Sequence, residues 1–178
     1  MATTTPSTAK RTPIKTATTS TAGKGPDAIA LLKADHRAVE KLFAQFETAR
    51  DEDRKTALAD RICLELRIHM TIEEEIFYPI SRDFLKNEDI VDEAVVEHAA
   101  ARDLMDEIEA MKAGEDLFDA KVKVLGEQIE HHVEEEEEDY FPKVQKTEMD
   151  LRAVGARMQA RKDELAARMD TSQGKAVQ

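Results

Sequence analysis

The sequence predicts an all-α protein: an up-down-up-down four-helix bundle with an additional C-terminal helix and a disordered N-terminal tail. Three observations lead there. Charged residues make up 36% and hydrophobic residues 41% of 178 positions, with 6 glycines, 5 prolines and no tryptophan, a balance that suits helices better than sheets. Apolar residues recur three or four apart in successive stretches, the spacing of one helix face. Short polar segments separate the first four stretches, which places consecutive helices antiparallel.

Residues 1–25 are Thr, Ala, Ser and Lys with two prolines and almost no large apolar side chains, too little to offset the entropy of ordering. A transit-peptide reading of this tail is disfavoured by its single arginine and its lack of an amphipathic stripe. Pro26 and Asp27 open the first helix, striped by Ile29, Leu32, His36, Val39, Phe43 and Phe46 and ending near Arg50. The second runs from about Asp53 to Ser81 with Leu58, Ile62, Leu66, His69, Glu73 and Phe77 on one face, and "LKNED" follows as a connection. The third starts near Asp89 and carries Ile90, Ala94, His98, Ala101, Met105 and Ile108. "AGED" stops it, with Gly114 suited to a C-terminal cap and Asp116 to an N-cap. The fourth, Asp116 to Lys146, places Leu117, Val124, Ile129, His132, Glu136 and Tyr140 together. A fifth segment, Asp150 to Met169, aligns Leu151, Val154, Met158, Leu165 and Met169, to cover the bundle or to mediate a homo-oligomer. The expected organisation is a tail (1–25), a bundle (26–147), a C-terminal helix (148–170) and a disordered end (171–178).

The formal net charge is −12, and the tail's Lys10, Arg11, Lys15 and Lys24, with no acid before Asp27, leave −16 on the rest. Such a body repels phosphate, which argues against nucleic acid and anionic membranes as partners. No apolar run approaches the ~20 residues of a membrane span. The lone Cys63 forms no internal disulfide, reads as a small buried side chain, and fits a reducing, cytoplasmic location.

Every bundle helix carries histidine on its core-facing stripe, in the order lone His, then H-x-x-x-E, written twice: His36 with His69 and Glu73, then His98 with His132 and Glu136. Residues four apart on a helix share a face, so each His/Glu pair can address one metal centre, with His36 and His98 completing the ring. Imidazole suits iron or another borderline transition metal, and carboxylate can bridge two cations. Four histidines and two bridging glutamates leave positions open on a pair of six-coordinate metals. A bridging oxide or hydroxide takes some, and O2, peroxide, nitric oxide or water the rest.

Each piece alone has a plainer reading: an H-x-x-x-E pair also arises as a surface helix contact, and His36 or His98 could be ordinary core residues. The run Glu134 to Asp139 reads as a solvated face from which only Glu136 turns inward, with Glu137 its rival. His131, about 100° round the helix from His132, reads as exposed. Glu40 is a candidate acceptor for an imidazole N–H, Phe77 and Tyr140 are candidate pocket walls, and the Tyr140 hydroxyl is a candidate partner for a metal-bound ligand. Pro79 and Pro142 are expected to kink or end their helices.

At these residues the chain resembles the hemerythrin-like family of HHE cation-binding domains, whose pattern is H…H-x-x-x-E…H…H-x-x-x-E. The likeness covers about residues 27 to 146, and the fifth segment is similar to the tail common in bacterial members. It implies a non-haem di-iron centre of two iron ions, oxo- or hydroxo-bridged, with ligands matched at His36, His69, Glu73, His98, His132 and Glu136. Oxygen-carrying members have a further histidine on the third helix, where this chain has Ala94 and Arg102. The expected function is binding of O2, peroxide or NO in sensing, scavenging or iron handling. The alternatives are a di-iron enzyme with catalase-like or NO-reducing activity and a metal-free interaction bundle.

Overall fold

Asp27 opens the first helix by accepting the Ala30 amide at 2.9 Å, and Asp51 does the same for Arg54 at 2.8 Å in the second. Each satisfies an amide that the first helical turn leaves unpaired. The computed structural model describes residues 25–85 and 89–173, with side chains through Arg168 at its C-terminal end. The expected tail up to residue 24, the middle of "LKNED", the Met169 side chain and the last five residues lie outside the described ones.

Helix α1 is Ala28–Thr48. Helix α2 begins as Glu52–Ile72 and runs without a break through a π-helical turn, Glu73–Phe77, into a last α-helical turn, Tyr78–Arg82. Helix α3 is Asp89–Glu109. Helix α4 repeats the pattern of α2: Phe118–Glu135, a π-helical turn, Glu136–Tyr140, and Phe141–Gln145. Helix α5 is Leu151–Gln173.

The helices do not stop at Pro79 and Pro142, and these turns are the reason. Proline donates no amide and crowds the carbonyl of the preceding turn. Here the amides of Tyr78 and Phe141 reach the carbonyls of Glu73 and Glu136, five residues back. Each proline then falls in the first turn of the resumed helix, where an amide is not required.

The start of α4 also differs from expectation. Asp116 does not cap it; Leu117 precedes the helix with φ 71° and is 68% exposed. Val124, expected inside, is 44% exposed. The buried face is Phe118, Val122, Leu125, Ile129, His132 and Val133, because Leu125 stands four residues before Ile129 on the same face and Val124 stands five before it. Gly114 lies in the preceding loop at φ +91°, a left-handed conformation that glycine adopts without penalty.

Two apolar clusters fill the bundle. One contains Phe46, Ile62, Leu66, Met105, Phe118 and Leu125; the other contains Leu32, Ile72, Phe77, Tyr78, Tyr140 and Phe141. The histidines fall between them along every helix: His36 between Leu32 and Val39, His69 between Leu66 and Ile72. Cys63 is fully buried, and burial together with the charge of Glu109 pushes its thiol up to about 12, which keeps it an inert core residue.

Helix α5 lies across α1, α2 and the first π-helical turn. Its Val154 and Met158 are buried and Leu151 and Leu165 pack against the same cluster. The stripe that could have served a homo-oligomer is therefore used within the chain. Arg161 binds Glu75 through two nitrogens at 2.7 and 3.0 Å, and Lys162 binds Asp35. Gly155 allows the close approach, since a Cβ there would stand 2.7 Å from Ala28 N, Asp27 C and Pro26 O. These are backbone atoms that cannot rotate away. Gly155→Ala is expected to cost about 1–3 kcal/mol, measured as a lower denaturant midpoint at unchanged slope.

Candidate metal centre

All six residues singled out by the repeated pattern are buried at the centre of the bundle: His36, His69, Glu73, His98, His132 and Glu136. Their inward atoms form two overlapping groups, His36, His69, Glu73 and Glu136 in one and Glu73, His98 and His132 in the other. Nε2 of His36 stands 3.2 Å from Nε2 of His69, and Nε2 of His98 stands 3.1 Å from that of His132. Each glutamate spans the two histidine pairs. Glu73 Oε2 is 3.2 Å from His69 and 3.5 Å from His98, while Glu136 Oε2 is 3.4 Å from His36 and 3.8 Å from His132.

Behind the ring lies a set of carboxylates. Nδ1 of His36 donates to Glu137, Nδ1 of His98 to Glu74 and Nδ1 of His132 to Glu97, each at 2.8 Å. The fourth, Nδ1 of His69, faces Asp35 Oδ2 at 3.7 Å, beyond hydrogen-bonding distance, and both atoms are buried without a partner. Two pseudo-equivalent sets result. The residue after each inward glutamate, Glu74 or Glu137, serves the lone histidine of the other half. The residue before each lone histidine, Asp35 or Glu97, faces the histidine of the H-x-x-x-E pair in its own half.

This corrects three expectations. Glu137 orients the His36 ring and is not part of a solvated face, and Glu74 does the same for His98. Glu40 is not near the ring; it pairs with Arg37 at the surface. The tyrosine that touches an inward carboxylate is Tyr78, whose hydroxyl donates to Glu136 Oε1 at 3.0 Å, whereas the Tyr140 hydroxyl bonds Ser81 Oγ at 2.5 Å. Phe77 packs against Tyr140 and Phe141 and does not line the cavity at the histidines. Arg102 pairs with Glu74 at 2.8 Å, and His131 is exposed as expected.

The donor set fits a pair of cations. A neutral imidazole that donates from Nδ1 presents a bare lone pair at Nε2; in that form His98 and His132 point two lone pairs at one another across 3.1 Å. For His132, burial is outweighed by the Glu97 hydrogen bond and the charge of Glu136, which raise it. Both oxygens of Glu73 and Oε2 of Glu136 are buried without a hydrogen bond. Burial and the charge of Glu136 push Glu73 well up from the usual carboxylate range. Burial also acts to raise Glu136, but the imidazole of His36, 3.4 Å from its Oε2, with those of His132 and His69, outweighs that and holds it down. Burial lowers His69 to about 4 and lowers His98, favouring the neutral rings that metal binding requires.

Residues 27–144 match the Hemerythrin HHE cation binding domain family. A hemerythrin-like protein of Schizosaccharomyces pombe is 26% identical over 114 residues, 63% of this chain and 56% of its own length. A DNA nickase of Nostoc is 27% identical over 111 residues, 62% of this chain and 31% of its own length. The chain thus spans about half or less of the curated relatives it matches. None of these matches supports the expectation that nucleic acid is excluded as a partner. The crystal structure of an HHE cation binding domain-containing protein from Mycobacterium kansasii superposes with a TM-score of 0.69 at 25% identity, over 79% of this chain and 88% of that one. With a match that spans all four bundle helices and every inward histidine and glutamate, the chain belongs to the hemerythrin HHE cation-binding domain family.

Proposed function

We propose that this chain holds two iron ions in a non-haem di-iron centre, with His36, His69, Glu73, His98, His132 and Glu136 as ligands, and binds O2, peroxide or NO there in sensing, scavenging or iron handling. The observation that carries this reading is the pair of buried carboxylates, Glu73 and Glu136, each within reach of one histidine from both halves and neither balanced by a lysine or arginine among the described residues. Iron held there supplies one-electron redox chemistry and Lewis acidity.

The remaining roles fall to the chain. Glu74, Glu97 and Glu137 fix the tautomer and orientation of three rings. Tyr78 holds Glu136 in place. Phe77, Tyr78, Tyr140 and Phe141 close one end of the site against water, with Phe141 stacked on His36 at 5.9 Å between ring centres. On the other side a cavity of about 10 Å³ is lined by the four histidines with Val39, Leu66, Met70, Ile129 and Val133. It has room for about one water-sized molecule. No described helix is long and apolar enough to cross a membrane.

Protein purified without chelator should carry about two irons per chain, and the ferrous form should gain near-ultraviolet absorption in air. Less than half an iron with no other metal would overturn the reading. Oxygen release from peroxide that is lost in His69→Ala would move the function to catalase-like turnover.

The unpaired carboxylate gives a second expectation. Glu73→Met should raise the stability of the metal-free protein by about 1–3 kcal/mol and abolish the rise in melting temperature that added ferrous ion gives the wild type. For the ring-orienting residues, Glu74→Ala should weaken metal retention by about 10–100-fold in competition with a chelator, while Glu40→Ala should leave it unchanged.

A further inference from the structure

The carboxylates behind the four histidines differ in one respect. Glu137 also meets Lys33 at 3.3 Å and Arg37 at 2.6 Å, Glu74 meets Arg102 at 2.8 Å, and Asp35 is held by Lys162. Each therefore has a permanent cation on its outer side. Glu97 has none: its ion pairs among the described residues are with histidines only. Where symmetry calls for a basic side chain, Glu97 Oε1 faces Nε2 of His131 at 4.0 Å, and that nitrogen is 3.4 Å from Glu135 Oε1.

We propose that Glu97, His131 and Glu135 bind a divalent transition-metal ion at the surface of α3 and α4, a third ion beyond those of the core. One ligand atom from each residue lies within 4.8 Å of the other two. Nitrogen and oxygen ligands at about 2.0–2.2 Å from an ion require only a small inward rotation from there. His131 and Glu135 stand four apart on one helix, the same spacing as His132 and Glu136 one residue on, and Glu97 enters from the neighbouring helix. One imidazole and two carboxylates suit Zn2+ or Fe2+ better than Ca2+ or Mg2+. The exposed side of His131 leaves coordination positions to water. Because Glu97 Oε2 holds His132 Nδ1 at 2.8 Å, the surface ion stands one carboxylate away from the core ring and tunes its polarisation.

The test is equilibrium dialysis of the iron-loaded full chain against Zn2+, with both metals measured by elemental analysis. Wild type is expected to take up about one Zn2+ per chain with its iron unchanged, and His131→Ala to bind it at least tenfold more weakly with the same iron content. Glu138→Gln, which removes an exposed acid elsewhere on α4, should bind as wild type. Equal binding by His131→Ala would overturn the site, as would an equal loss in Glu138→Gln or zinc uptake matched by iron release. If the core proves not to hold iron, the metal-free wild type and His131→Ala should still differ by about one Zn2+ per chain, so the two readings fail separately.

Discussion

Two carboxylates face each other in the middle of an otherwise apolar bundle, and the arrangement of the remaining residues follows from that. Glu73 and Glu136 are buried, and an unpaired buried charge costs several kcal/mol. Four imidazoles and one phenol surround them, and no lysine or arginine among the described residues forms an ion pair with either. One carboxylate is raised and the other lowered, which is how two acids at close quarters share a proton. The electrostatic deficit is the same deficit that a pair of cations removes, so the site that destabilises the empty fold is the site that selects a metal.

The π-helical turns tie this layer to its aromatic cover. In a continuous α-helix the residues four after Glu73 and Glu136, Phe77 and Tyr140, would share the glutamate face. A turn that bonds five residues back advances the register by one, and Tyr78 and Phe141 come to the rings instead. Tyr78 stacks on His98 at 5.7 Å and Phe141 on His36 at 5.9 Å. The prolines one residue later favour this arrangement because a regular helix would need the amides they lack. The doubled sequence E-E-E-x-aromatic-aromatic-Pro thus encodes a ligand, the acceptor for a distant histidine and a stacking partner in one stretch.

Helix positions and all six inward residues were legible because helical periodicity and a repeated H-x-x-x-E are local signals. The orienting carboxylates were harder, because which glutamate of an acidic run reaches a histidine on another helix depends on helix rotation and not on spacing along the chain. A signal was present nonetheless. An acid precedes each lone histidine, at Asp35 and Glu97, and another follows each inward glutamate, at Glu74 and Glu137. Tyr78 was missed for a different reason: the α-helical repeat of four residues fails once a π-helical turn intervenes. The late start of α4 escaped because Leu117 takes a left-handed conformation, which nothing in a leucine announces.

The two halves repeat but are not equal, and the differences concentrate at one corner. The order Phe77-Tyr78 in the first copy becomes Tyr140-Phe141 in the second, so a hydroxyl reaches Glu136 while no equivalent group reaches Glu73. Asp35 is drawn to Lys162 on α5, and His69 is left as the one ring without a hydrogen-bonded carboxylate. His98 and His132, by contrast, are fixed from behind by Glu74 and Glu97. Orientation by such outer partners governs how firmly a ligand set is pre-formed. The His98/His132 pair is therefore set before any cation arrives, and the His69/Glu73 corner keeps the freedom to adjust. Since Lys162 belongs to the covering helix, the docking of α5 reaches the centre of the bundle through a single aspartate.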